Sequence, residues 1–179
     1  MVILISGTSH TGKTLISQKL LEKLHYPYLS IDHLKMGLYR GGKSNFNPLT
    51  AYSEITKEMW PVLEGIIKTC IENEQNIIIE GCFIPKDYHE YFTPEYLKHI
   101  KYMCIILSDN YLDTKFDNLT KYANVIEKRL DDDVEYPLLK RCNKEFLDSC
   151  NLYNHHYYLV NDDYNENEIL EEFLKYIGE

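Results

Sequence analysis

An eight-residue run near the start of the chain constrains the fold more than any other feature of the sequence. Residues 7–14 read GTSHTGKT and fit the pattern G-x-x-x-x-G-K-[S/T]. An apolar segment that is too short for a helix, Val2–Ile5, precedes the run. Leucine and isoleucine follow it at helical spacing. We therefore predict a buried strand, a glycine-rich loop and a helix over 13–24.

The chemistry of this run, hereafter the phosphate loop, is that of an anion site. Its glycines let consecutive backbone N–H groups point inward at phosphate oxygens, and the following helix presents its positive end to the same anion. Lys13 is expected to reach the β- and γ-phosphates of a nucleotide, and the Thr14 hydroxyl is expected to ligate Mg²⁺. The other residues expected to bind the nucleotide are Gly7, Thr8, Ser9, His10, Thr11 and Gly12. For His10, packing or solvent exposure is the alternative to a phosphate contact.

Short apolar runs alternate with helical patterns along the rest of the chain. Strands are predicted over 28–31, 76–80, 103–107 and 157–160. Helices are predicted over 52–73, 111–129, 137–151 and 166–177. This alternation predicts a three-layer α/β fold with a five-stranded parallel sheet, in which functional groups follow the carboxyl ends of the strands.

Size, charge and cysteine content narrow the class of protein. A chain of 179 residues is expected to form a single domain. Its net charge of −9 disfavours binding to nucleic acid and to anionic membranes. No apolar run is long enough for a membrane span, and no cysteine pair has Cys-x-x-Cys spacing. We expect reduced thiols, no membrane association and a cytoplasmic protein.

A phosphate loop does not by itself name the reaction. The Asn-Lys-x-Asp run typical of guanine-specific enzymes is missing, because both nearest candidates, residues 143–146 and 120–123, lack the final Asp. A ring-forming ATPase usually needs a further helical domain, for which the chain is too short. A small kinase that transfers the γ-phosphoryl of ATP to a small-molecule hydroxyl or a nucleotide remains. The alternative is an ATP-binding switch or ATPase coupled to a partner protein.

Three charged residues near strand ends are candidates for that chemistry. Asp32 follows the second predicted strand and is expected to act as general base toward an acceptor hydroxyl, with a helix cap as the alternative. Lys35 lies one helical turn later and is expected to face the same pocket, with an exposed lysine as the alternative. Glu80 ends the strand predicted beside the phosphate loop and is expected to hold Mg²⁺ through water, with a structural carboxylate as the alternative.

Together these motifs resemble the nucleoside-monophosphate-kinase-like group of P-loop kinases, which includes adenylate, shikimate and gluconate kinases, chloramphenicol phosphotransferase and zeta toxins. Residues 29–35, LSIDHLK, are similar to the group's segment in which a basic residue follows an Asp by three positions. Residues 80–86, EGCFIPK, are similar to the Asp-Gly-Phe-Pro-Arg run of adenylate kinases, with Glu for Asp, Lys for Arg and two extra residues before Pro.

The resemblance also implies a small helical lid over ATP, which we assign to about 111–136, and an acceptor-side cap at about 33–60. Arg129 is expected to close from the lid onto the transferring phosphoryl group, and Arg141 to help bind the substrate. Asn161 follows the last strand and is expected to contact adenine. Arg40 opens the turn-rich segment 40–48 and is assigned to acceptor binding.

Three further features carry weaker expectations. The acidic run 131–133 is interpreted as a solvated linker, with metal binding as the alternative. Adjacent His155 and His156 are not expected to ligate a metal, since neighbouring side chains diverge. Trp60 and Phe46 are candidates for lining the acceptor pocket.

Overall fold

The short apolar runs form one sheet of five parallel strands in the computed structural model, which describes residues 1–122 and 135–178. The strands are β1 (Val2–Ser6), β2 (Tyr28–Ser30), β3 (Ile77–Glu80), β4 (Ile100–Leu107) and β5 (His156–Val160). Their order across the sheet is β2-β3-β1-β4-β5, so β1 lies at the centre between β3 and β4. The predicted fold class is confirmed.

Helices cover both faces of this sheet. They are α1 (Lys13–Leu24), α2 (Ile31–Arg40), α3 (Tyr52–Glu72), α4 (Pro94–Leu97), α5 (Asp109–Tyr122), α6 (Tyr136–Tyr153) and α7 (Glu166–Ile177), with a 3₁₀ turn at Tyr88–Tyr91. Alternate residues of β1 enter two different cores: Val2 and Leu4 pack on the side of α3, and Ile3 and Ile5 pack on the side of α1 and α7. Because both faces of β1 are buried, its sequence reads as a continuous apolar run.

The element bounds agree with the sequence patterns in some places and depart from them in others. Helices α1 and α7 have the predicted bounds, whereas β4 begins three residues before the predicted 103. Strand β2 stops at Ser30, because α2 begins at Ile31. The 3₁₀ turn and α4 were not predicted. The end of the helix predicted over 111–129, Arg129 and the run 131–133 lie outside the described residues.

No helix in the described part of the chain combines the length and the apolar character that crossing a lipid bilayer requires.

Candidate active site

The phosphate loop leaves the carboxyl end of the central strand under tight steric control. Gly7 has a φ of 138°, and a Cβ there would lie 2.4 Å from the carbonyl oxygen of Ile105 on β4. Gly12 has a φ of 79°, and a Cβ there would lie 1.9 Å from the Tyr164 hydroxyl. Both glycines are therefore required by backbone conformation and by close neighbours.

Hydrogen bonds inside the loop hold its lysine in place. The Lys13 Nζ donates to the Thr8 carbonyl at 2.5 Å, and the Thr11 hydroxyl donates to the same oxygen at 3.1 Å. Lys13 is only 8% exposed. The ammonium therefore sits within the loop at the start of α1, where unpaired backbone N–H groups and the helix dipole favour an anion.

The Glu80 carboxylate lies next to the Thr14 hydroxyl. Glu80 pairs with Ile5 of β1 and with Ser30 of β2, so it is the last residue of a strand between two others. It is 2% exposed, and its Oε1 accepts from Thr14 Oγ1 at 3.4 Å. A carboxylate and a hydroxyl in this arrangement are the oxygen donors that Mg²⁺ prefers, so the residues present fit the ion.

Helix α2 carries Asp32 in its first turn and Lys35 three residues later. The helix is preceded by Ser30 as its N-cap residue, so Asp32 lies inside the helix and is not its cap. Asp32 Oδ1 lies 2.7 Å from Lys35 Nζ. The loop after β3 packs closely on this helix, since a Cβ at Gly81 would lie 2.7 Å from the Cβ of Ile31.

Two aromatic rings form a wall beside this ion pair. The Lys35 Nζ lies 4.7 Å from the centroid of the Phe83 ring, in cation–π geometry. Phe83 in turn stacks on Tyr52 of α3, with ring centroids 5.0 Å apart and an interplanar angle of 20°. The acceptor side, defined as Asp32, Lys35, Tyr52, Cys82 and Phe83, therefore combines residues from α2, α3 and the loop after β3.

Cys82 links the acceptor side to the phosphate loop. Burial raises the pKa of its thiol to about 11, while the positive charges of Lys13 and Lys35 act in the opposite direction and the Asp32 carboxylate adds to the rise. The thiol is therefore protonated at neutral pH. Cys82 also follows Glu80, which contacts Thr14, and Gly81, which packs on Ile31 of α2, so this segment lies between the phosphate loop and α2.

The loop after β5 contacts the phosphate loop from the other side. The Tyr164 hydroxyl donates to the Thr11 carbonyl at 3.3 Å, and burial raises the pKa of this phenol. Asn161, the predicted adenine contact, is exposed, and its carbonyl accepts from the Asn110 side chain at 3.0 Å. The phosphate side is hereafter residues 7–14 together with Tyr164.

The described arginines among the predicted site residues are exposed. Arg40 is exposed at the last position of α2, about 12 Å along the helix axis from Asp32 at 1.5 Å per residue. The side chain of Arg141 on α6 is 70% exposed and lies 4.0 Å from Glu145. Arg129 is outside the described residues.

Trp60, Phe46, His155 and His156, for which the expectations were weaker, contact other residues of the fold. Trp60 and Phe46 are 2% and 4% exposed and belong to the apolar core under α3. His155 Nε2 donates to the Lys86 carbonyl at 2.8 Å, and His156 stacks on Tyr176 with centroids 3.9 Å apart. Within residues 1–122 and 135–178, no three side chains of His, Cys, Asp or Glu form a metal-binding group.

Sequence reasoning gave no role to Cys82, Phe83, Tyr52 or Tyr164. Cys82 and Phe83 directly follow Glu80 and Gly81 beyond an apolar strand, and that position was the available signal. Tyr52 and Tyr164 left no local signal, because their roles depend on contacts with residues far away in the chain.

Comparison with known proteins finds a matching family and kinases of similar fold. The family model described as zeta toxin matches residues 1–101, which is more than half of the chain. The fold is similar to a gluconokinase from Sinorhizobium meliloti 1021 at a TM-score of 0.61 and 17% identity, covering 98% of this chain and 90% of that one. A shikimate kinase from Aquifex aeolicus vf5 is similar at a TM-score of 0.55 and 16% identity, covering 99% and 96%. Comparison with curated protein sequences finds no match.

Proposed function

The chain belongs to the zeta toxin family and is an ATP-dependent phosphotransferase, and we propose that it moves the γ-phosphoryl group to a hydroxyl of a small molecule with Asp32 as general base. The observation that carries this proposal is that Lys13, after β1, and Asp32, after β2, flank β3, whose last residue, Glu80, contacts Thr14 next to Lys13. One group belongs to the nucleotide side and the other is free to meet an acceptor, since the Asp32 side chain is 50% exposed.

The reaction divides between these residues. Lys13 and the loop amides hold the β- and γ-phosphates of ATP and neutralise charge as it develops on the transferring group. Thr14 and Glu80 would hold Mg²⁺, which would help to neutralise the negative charge of the phosphates. Asp32 takes the proton of the acceptor hydroxyl while the new O–P bond forms and the bond from phosphorus to the β–γ bridging oxygen breaks, releasing ADP.

The parts that would close over the substrates are also proposals. We assign a lid to about 111–136, with Arg129 reaching the transferring phosphoryl group, and a cap to about 33–60 within a single domain. The ligand contacts assigned to Arg40, Arg141 and Asn161 are proposals as well, and all three side chains are exposed. Closure would exclude water, which competes with the acceptor for the phosphoryl group.

We also propose a cytoplasmic location, which the thiols support. The cysteines are free, and none of the five pairs in a disulfide. Free thiols persist in reducing compartments, which supports a cytoplasmic location.

A screen identifies the acceptor. Thermal unfolding is measured with Mg²⁺, a non-hydrolysable ATP analogue and one candidate polyol, sugar acid, nucleoside or nucleotide at a time. A true acceptor raises the unfolding temperature beyond the analogue alone, because it binds only the folded state.

Turnover with the strongest hit then tests Asp32. We expect Asp32→Asn to lower kcat by at least about a hundredfold, the effect of losing a general base. Asp148→Asn, an isosteric change of an exposed carboxylate on α6, is the matched control and is expected to leave kcat unchanged. ATP hydrolysis that no acceptor stimulates and that Asp32→Asn leaves intact would instead favour a nucleotide switch.

A further inference from the structure

The ammonium of Lys35 is already engaged in the structure. Its Nζ lies 2.7 Å from Asp32 Oδ1 and 4.7 Å from the centre of the Phe83 ring. The Lys35 side chain is 18% exposed, whereas that of Asp32 is 50% exposed. The carboxylate is therefore the more accessible member of the pair, and the lysine is the more buried one.

We propose that Lys35 is a positioning residue that acts through Asp32 and does not bind the acceptor, a proposal that rests on Asp32 being the general base. The ammonium fixes one carboxylate oxygen, Oδ1, so the other oxygen stays free to accept a proton. The Phe83 ring fixes the ammonium in turn, since a cation over an aromatic face is held electrostatically.

The support continues behind Phe83. The Phe83 ring is 6% exposed and stacks on Tyr52, with the ring centroids 5.0 Å apart. Helix α3 therefore also holds this ring in place. Phe83 also follows Glu80, the last residue of β3, by three residues. One segment therefore carries both the proposed magnesium ligand and the ring that orients the base through Lys35.

The magnitudes favour a catalytic purpose for this arrangement. A half-exposed ion pair between residues three apart on a helix contributes little to stability. A catalytic group displaced by about 1 Å, in contrast, costs roughly a hundredfold in rate. Loss of Lys35 should therefore appear in turnover and hardly in the unfolding temperature.

The test uses MgATP with water as the attacking hydroxyl. Water offers no functional group for a substrate-binding lysine to recognise, so a lysine that only binds an acceptor leaves the basal hydrolysis rate unchanged. We expect Lys35→Gln to lower kcat of basal hydrolysis by about 10- to 100-fold with little change in KM for ATP. Lys35→Arg, which keeps the charge, should recover part of the loss.

A double-mutant cycle makes the mechanism specific. If Lys35 acts through Asp32, then Lys35→Gln adds no further loss of basal hydrolysis in the Asp32→Asn background. Phe83→Leu keeps apolar bulk but removes the ring, and we expect a loss of about 3- to 10-fold, in line with a single cation–π contact.

The matched control is Lys68→Gln. Lys68 has the same type of environment, 2.5 Å from Glu64 and 5.8 Å from the centre of the Phe92 ring, but it lies on α3 away from the candidate site. The basal ATP hydrolysis rate of the Lys68→Gln variant is expected to equal that of the wild type.

Each outcome decides a different point. Unchanged hydrolysis in Lys35→Gln, or losses that simply add in the double variant, would overturn the positioning role and leave Asp32 as base. A loss in Lys35→Gln without any loss in Asp32→Asn would overturn both the positioning role and the proposed base.

Discussion

The phosphate side and the acceptor side of the site are built from different materials. On the phosphate side the shape comes from the backbone, since Gly7 and Gly12 have positive φ values and leave no room for a Cβ. On the acceptor side the shape comes from side chains of α2, α3 and the loop after β3. A site shaped by the backbone keeps its ligand specificity when side chains are substituted. A site lined by side chains acquires a different specificity when those side chains change. We therefore expect ATP to be the constant partner and the acceptor to be the variable one.

The largest effect is expected on the phosphate side, at Lys13. Replacing it by Met keeps the buried stem but removes the ammonium that Thr8 now holds at 2.5 Å. We expect kcat to fall by about 10²- to 10³-fold, as when one preorganised group that stabilises the transition state is lost. Steady-state turnover of MgATP measures this. Lys19→Met, on the same helix, is the control, and a loss below about threefold at Lys13 would contradict the role.

The next effect is expected where the two sides meet, at Glu80. Glu80→Gln preserves the size of the side chain and its contact with Thr14 while removing the negative charge. We expect the half-saturating Mg²⁺ concentration for turnover to rise by about 10- to 100-fold, as for groups that orient a metal from its outer shell. Titrating Mg²⁺ at saturating ATP measures this. An unchanged magnesium requirement would make Glu80 a structural residue.

A smaller effect is expected at Tyr164, which supports the phosphate loop from outside. Tyr164→Phe removes the hydrogen bond to the Thr11 carbonyl. One net hydrogen bond corresponds to a rise of about 2- to 10-fold in KM for ATP, with kcat nearly unchanged. Initial rates over a range of ATP concentrations check this. Tyr158→Phe on β5, which loses a bond to Glu168 instead, is the control; equal effects in both variants would remove the special role of Tyr164.

The smallest effect is expected in the pH dependence of stability, at His155 beside the acceptor side. His155 donates to the carbonyl of Lys86 in the loop that carries Phe83, and burial lowers the pKa of His155. The unfolded chain therefore takes up a proton more readily than the folded one, so this contribution to stability is present above about pH 6.5 and is lost as the pH falls below it. Denaturant unfolding at pH 7 and at pH 5 should show a shallower loss in His155→Gln than in the wild type. An equal loss would assign the acid sensitivity to other groups.

Local sequence patterns were sufficient to predict the secondary structure of the phosphate side. The spacing of Gly7, Gly12 and Lys13 between an apolar run and a helical pattern predicted the strand, the loop and the bounds of α1. The positions of Asp32 and Glu80 near strand ends were also predicted, because each lies at or after the end of an apolar run and parallel strands end at one edge of the sheet; their roles stay predictions. These inferences need only residues that are close together in the sequence.

The acceptor side was less predictable because its contacts join distant residues. Lys35, Tyr52 and Phe83 come together only once the sheet has formed, and none of them departs from its local pattern. Trp60 was expected near the pocket, but the apolar stripe of α3 carries it into the core, where it is 2% exposed. Strand β4 was predicted too short because Lys101 interrupts its apolar start. In the structure the Lys101 ammonium lies over the Tyr176 ring in cation–π geometry, so the strand accommodates this lysine.

Calorimetric titration with a non-hydrolysable ATP analogue, with and without Mg²⁺, examines the phosphate loop without needing the acceptor. We predict binding to a single site that Mg²⁺ strengthens and that Lys13→Met weakens by at least about tenfold, the equivalent of one charge-assisted hydrogen bond. Heat of binding that is absent, or that is the same in Lys13→Met and in the wild type, would contradict the conclusion that this loop holds the triphosphate.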